Sequence, residues 1–176
     1  MSGSIKGRAG AGAVRGFAIE RGAFVGRARE KSEILELLAA PASLVTLWGP
    51  GGAGKTRTAL AVARELEASD YRAAFCELGA IETTADVVAA IARTIGLELD
   101  TTEGNEARAR LGHALAVRVD VLIIDNVESA AVLVAEVVGD LLSARRSVQV
   151  IATSREIRSP TRAIDGSGDS SSCCSR

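Results

Sequence analysis

Apolar positions fall into short runs and helical stripes that alternate along most of the chain. Ile34, Leu35, Leu37 and Leu38 recur at helical spacing among charged residues from Arg29 onward, and Pro41 ends that helix. Four runs read as strands: SLVTLW (Ser43 to Trp48), AAFCEL (Ala73 to Leu78), VDVLIID (Val119 to Asp125) and SVQVIATS (Ser147 to Ser154). Between them lie helical patterns. Gly54 to Leu66 places Leu60, Val62, Ala63 and Leu66 on one side, and Thr84 to Ile95 carries Asp86 in its first turn and Gly96 past its end. Glu106 to Val117 and Ala130 to Leu142 are the other two. Strands that alternate with helices predict an α/β fold: a mostly parallel sheet with helices on both faces, hence three layers. No period of 20 to 50 residues recurs, which excludes a repeat protein.

The ends do not share this pattern. Residues 1–22 mix Gly, Ala and Arg without periodicity and read as a flexible, weakly basic lead-in, so the folded unit is expected over 23–158. Residues 159–176 hold six serines and two glycines and few apolar residues, which predicts a disordered tail with no strand or buried helix. The sheet is accordingly expected to lack a last strand, leaving Leu44 to Leu47 on an apolar edge.

Composition refines the picture. The chain is 47% hydrophobic but only 3% aromatic, so its core must be built from small aliphatic side chains. Basic and acidic residues balance, 21 against 22, which argues against a general nucleic-acid binder. Cys76 in an apolar run and adjacent Cys173 and Cys174 make no disulfide framework and fit a reducing cytoplasm. Neither a signal-peptide pattern nor a run of about 18 apolar residues occurs, so no membrane partner is expected.

The candidate chemistry begins at Gly49-Pro50-Gly51-Gly52-Ala53-Gly54-Lys55-Thr56, with Arg57 following. This fits the phosphate-binding loop G-x-x-x-x-G-K-[ST] and lies between an apolar strand and a helix, where such a loop must lie. Glycines let consecutive N–H groups approach a polyphosphate, and the next helix presents its positive end to it. Lys55 then serves the β- and γ-phosphates of ATP, and the Thr56 hydroxyl serves Mg2+. In VLIIDN (Val121 to Asn126), Asp125 stands at the C-terminal end of a buried strand and either holds Mg2+ or caps the next turn. Asn126 is an amide and cannot act as a base; Glu128 either substitutes for it or is a solvated carboxylate in a helix's first turn. On the last strand, Thr153, Ser154 and Arg155 reach the same rim, where Arg155 senses the γ-phosphate or pairs with Glu156. His113 has no metal-spaced companion and reads as a surface or partly buried side chain.

FVGRARE (Phe24 to Glu30), WGPGGAGKTRTAL (Trp48 to Leu60), VLIIDNVE (Val121 to Glu128) and IATSRE (Ile151 to Glu156) together resemble the nucleotide-domain motifs of STAND-class P-loop ATPases. The likeness is to the NB-ARC-like domain of actinobacterial transcriptional regulators of the LuxR or AfsR type, and it covers about residues 24–158. It implies a P-loop NTPase sandwich with sheet order 5-1-4-3-2 and ATP or ADP with Mg2+ as ligands. It also implies Val25 and Arg27 on the adenine and ribose side, Gly49 to Thr56 on the phosphates, Asp125 on the metal and Arg155 on the γ-phosphate. Proteins of this class continue past the TSR motif into further domains, and no helix-turn-helix is identifiable here. The resemblance therefore implies a nucleotide-switch module, with slow or no hydrolysis alone, that works through protein partners or self-association. A free-standing AAA-type ATPase and a truncated or frameshifted fragment are the alternatives.

Overall fold

The computed structural model of the chain describes residues 27–40, 43–100, 104–144, 148–155 and 162–165. In chain order they form α1 (Ala28–Leu38), β1 (Leu44–Trp48), α2 (Lys55–Glu67), β2 (Ala73–Glu77), α3 (Thr84–Thr94), α4 (Asn105–Arg118), β3 (Val121–Asp125), a three-residue 3-10 turn (Val127–Ser129), α5 (Ala131–Ala144), β4 (Gln149–Ser154) and β5 (Arg162–Asp165). The strands make one sheet in the order β2-β3-β4-β1-β5, parallel at every pairing. This is the order implied by the resemblance, read from the other edge.

Period-two side-chain alternation divides the core into two layers. Val45 and Leu47 of β1, Phe75 of β2, Val121 and Ile123 of β3 and Ile151 of β4 face α1 and α2, where Ile34, Leu38, Val62 and Ala63 close the layer. The alternate residues Cys76, Leu122, Ile124 and Val150 face α3, α4 and α5, against Val87, Ile91, Leu111, Leu115 and Val138. Every residue of β3 is buried, as its nearly unbroken apolar run requires of a strand covered on both sides.

One expectation is corrected. Arg162–Asp165 does form a last strand, with Val45 paired to Arg162 and Trp48 to Asp165. Parallel ladder bonds are made by main-chain groups, so even a segment from a serine-rich stretch can satisfy the edge of β1, and Leu44 to Leu47 are not an open edge. The lead-in 1–22 and residues 166–176 lie outside the described residues.

At the sheet's N-terminal rim a bidentate pair ties β2 to β3. Arg72 donates from Nε and Nη2 to the two Asp120 carboxylate oxygens, each at 2.8 Å, and its own N–H donates to the same group at 2.9 Å. Burial alone would push the Asp120 carboxyl up, but the Arg72 hydrogen bonds and charge outweigh it and hold it below the usual value. The N-terminus of α3 is fixed by a capping box between Thr83 and Asp86. The candidate side chains lie at the C-terminal rim, where β1, β3 and β4 end.

Candidate functional site

β1 ends at Trp48, and residues 49–54 turn the chain into α2. The turn needs left-handed backbone at Gly52 (φ 78°) and Gly54 (φ 81°), which is why glycine stands at both. Gly54 closes the loop onto the helix: its carbonyl accepts the Thr58 N–H at 2.9 Å and the Thr58 hydroxyl at 3.0 Å. A β-carbon built on Gly51 or Gly52 would meet nothing within 4 Å, so the space above the loop is open. Lys55 folds over this loop, donating from Nζ to the Gly49 carbonyl at 2.8 Å and the Pro50 carbonyl at 2.9 Å. Arg57, in the first turn of the helix, is exposed.

The first turn of α2 also reaches the sheet. The Thr56 hydroxyl donates to Asp125 Oδ1 at 2.7 Å, joining two residues 69 positions apart in sequence. Thr153, on the neighbouring β4, donates its hydroxyl to the same oxygen and accepts the Asn126 N–H at 3.2 Å. Asp125 is 6% exposed and Thr153 2%. A buried carboxylate beside a hydroxyl is a hard-oxygen donor pair, and it suits a magnesium ion that keeps most of its own water. Asn126 itself takes left-handed backbone (φ 61°, ψ 48°) as β3 passes into the 3-10 turn. Among non-glycine residues asparagine tolerates that conformation well, which gives this residue a conformational role at the rim.

The other anticipated residues are placed as follows. Arg27 adopts left-handed backbone at the start of α1, and its guanidinium donates to the Ala53 carbonyl of the loop and pairs with Glu30 at 3.5 Å. It is thus set against the phosphate loop's main chain. Val25 lies outside the described residues. Arg155 pairs with Glu128 at 3.0 Å, across the ends of β3 and β4. Glu128 sits in the first turn of the short 3-10 helix, and its carboxylate is paired with Arg155 and mostly covered. His113 is exposed on α4, and no group of three or more His, Cys, Asp or Glu side chains among the described residues is arranged to hold a metal. Burial, only partly offset by a hydrogen bond with Thr94 and the charge of Arg93, pushes the Cys76 thiol up.

Thr153, placed at this rim from the sequence, is the second hydroxyl on Asp125. One feature of the rim was not singled out from the sequence. Glu77 is the register partner of Asp125 on β2, exposed at the same end of the sheet. Strand register is what would have found it.

Comparison with known proteins agrees with this geometry. The model of the family described as AAA domain matches residues 39–157. Two proteins, from Mycobacterium bovis and Mycobacterium tuberculosis, bear names describing them as HTH-type transcriptional regulators. Each is 35% identical over 124 residues, 69% of this chain but 14% of its own length. The chain therefore spans about one seventh of these relatives. Among solved structures, a STAND protein with a tetratricopeptide repeat sensor from Pyrococcus horikoshii superposes with a TM-score of 0.54 at 21% identity, over 81% of this chain and 23% of that one. A chain in a structure of Drosophila ORC bound to GC-rich DNA and Cdc6 gives a TM-score of 0.52 at 14% identity, over 78% of this chain and 55% of that one. At such identities these two show the fold alone. No helix among the described residues is long and apolar enough to cross a membrane. The glycine-turned loop, its lysine, and the threonine bound to a strand-end carboxylate sit within the matched segment, and the chain belongs to the AAA domain family of P-loop ATPases.

Proposed function

We propose that this chain is the ATP- and ADP-binding switch domain of a STAND-class signalling or transcription-regulating ATPase in the cytoplasm, with slow hydrolysis of its own. The observation that carries the reading is the 2.7 Å hydrogen bond from Thr56 to Asp125, which brings the phosphate loop and a buried carboxylate to one point. Gly49 to Thr56 would hold the phosphates through main-chain N–H groups and the start of α2, and Lys55 would exchange its two loop carbonyls for phosphate oxygens. Thr56 and Asp125 would hold Mg2+, which, when bound, neutralises phosphate charge. Val25 and Arg27 would serve the adenine and ribose side, Arg57 the edge of the phosphate site, and Arg155 the γ-phosphate. Slow turnover follows from Asn126, since an amide accepts no proton from water, and from Glu128, which is engaged by Arg155. The mycobacterial relatives' names, and the share of their length that this chain spans, favour a module within a larger regulator that acts through its other domains or through self-association.

A second reading, a rapid free-standing AAA-type ATPase, is favoured by the family match alone. Thermal unfolding with Mg2+ and ATP, ADP or GTP tests the binding claim. At a hundred times its dissociation constant, a ligand specific to the folded state adds about 2.7 kcal/mol. ATP and ADP are expected to raise the midpoint by about 5–11 °C at that occupancy. No shift with any nucleotide refutes the reading, and turnover above roughly 1 s⁻¹ favours the rapid enzyme.

A further inference from the structure

The rim carries a contact that phosphate holding does not require. Arg155 directly follows β4, and Glu128 stands in the turn that follows β3. The two strand ends are locked together through Asp125, Thr153 and the Asn126 N–H, so this ion pair at 3.0 Å sits just beyond a rigid junction. Its members differ in freedom. The Glu128 side chain is only 22% exposed, whereas that of Arg155 is 67% exposed. The carboxylate is fixed by its surroundings and the guanidinium is the partner able to move.

We propose that Glu128 is a specificity-determining residue that sets the balance between nucleoside triphosphate and nucleoside diphosphate by competing with the terminal phosphate for Arg155. The inference rests on the nucleotide reading above. The pair engages Arg155 Nε, and a γ-phosphate that draws the guanidinium toward itself competes with Glu128 for that group of donors. A diphosphate offers no third phosphate and leaves the pair intact. The cost therefore falls on ATP alone and lowers the preference for it. An ion pair as exposed as this one is worth no more than about fivefold in an equilibrium constant. Added salt shrinks that factor.

The test is calorimetric titration of the full chain with Mg2+-ATP and Mg2+-ADP. Glu128→Gln keeps the side chain's shape and removes its charge. It is expected to tighten ATP binding by about two- to fivefold at low salt and leave ADP affinity unchanged. Arg155→Gln is expected to weaken ATP binding selectively. In the Glu128→Gln, Arg155→Gln double variant, the Glu128 change is expected to have no further effect. Equal changes for ATP and ADP, or a gain that survives loss of Arg155, overturn the competition. If the wild-type chain binds neither nucleotide, the nucleotide reading falls and takes this inference with it. If both bind and Glu128→Gln alters neither affinity, only the role of Glu128 is overturned.

Discussion

Replacing Thr153 by valine keeps the side chain's volume and removes one hydroxyl from the most buried part of the rim. That hydroxyl donates to Asp125 Oδ1 and accepts the Asn126 N–H at 3.2 Å, and Thr153 is only 2% exposed. Valine would leave a buried carboxylate with one donor fewer, at about 1.5–3 kcal/mol, and an N–H without that acceptor, at about 1–3 kcal/mol. The added methyl returns about 0.8 kcal/mol of burial, so the net loss is expected to be about 2–5 kcal/mol. For a chain of this size that lowers the thermal midpoint by about 4–20 °C. Thr153→Ser restores the hydroxyl and is expected to lie within about 1 kcal/mol of wild type. Denaturant titration reads the stability directly. Calorimetry with and without Mg2+ reads a second effect: Asp125 loses a group that orients it, so the metal-dependent part of ATP affinity is expected to fall more than the metal-independent part. A valine variant within about 0.5 kcal/mol of wild type, with its magnesium dependence unchanged, would refute the role assigned to Thr153.

Other outcomes follow from the same structure. The Asp120 and Asp86 carboxyls are held low by hydrogen bonds, so their folded pKa values lie below their unfolded ones. Their contribution is fully present above the unfolded value of about 4 and is lost as pH falls through the folded value. The urea midpoint is therefore expected to drop below about pH 4, and Asp120→Asn is expected to flatten that dependence; an unaltered slope would exclude Asp120 as a source. Gly54→Ala forces a side chain into left-handed backbone at φ 81°. It is expected to cost about 1–2 kcal/mol in denaturant titration, and a neutral result would mean the loop can relax around alanine.

Much of this was legible in the sequence because local chemistry announces itself locally. The phosphate loop is contiguous, its glycines stand where the backbone needs them, and VLIID is apolar enough to require burial on both faces. Helix α3 carries its own N-terminal cap at Thr83 and Asp86. What escaped was long-range or main-chain in origin. Arg72 and Asp120 are 48 positions apart, and nothing local to either names the other. The strand Arg162–Asp165 pairs through peptide groups beside β1, an interaction that a serine-rich composition obscures. Arg155 had two partners proposed, a phosphate and Glu156. The fold supplies a different one, Glu128, because β3 and β4 are neighbours and end at the same level.

In the proposed function, Lys55 serves the phosphates and Asp125, through Thr56 and Mg2+, the metal of the same bound nucleotide. Calorimetry of wild-type chain and Lys55→Ala with Mg2+-ATP addresses this most directly. A charge-assisted contact worth about 1.5–3 kcal/mol predicts at least a tenfold loss of affinity in the variant, with wild-type binding near the micromolar range. Equal affinity in the two proteins would contradict the phosphate assignment and the function built on it.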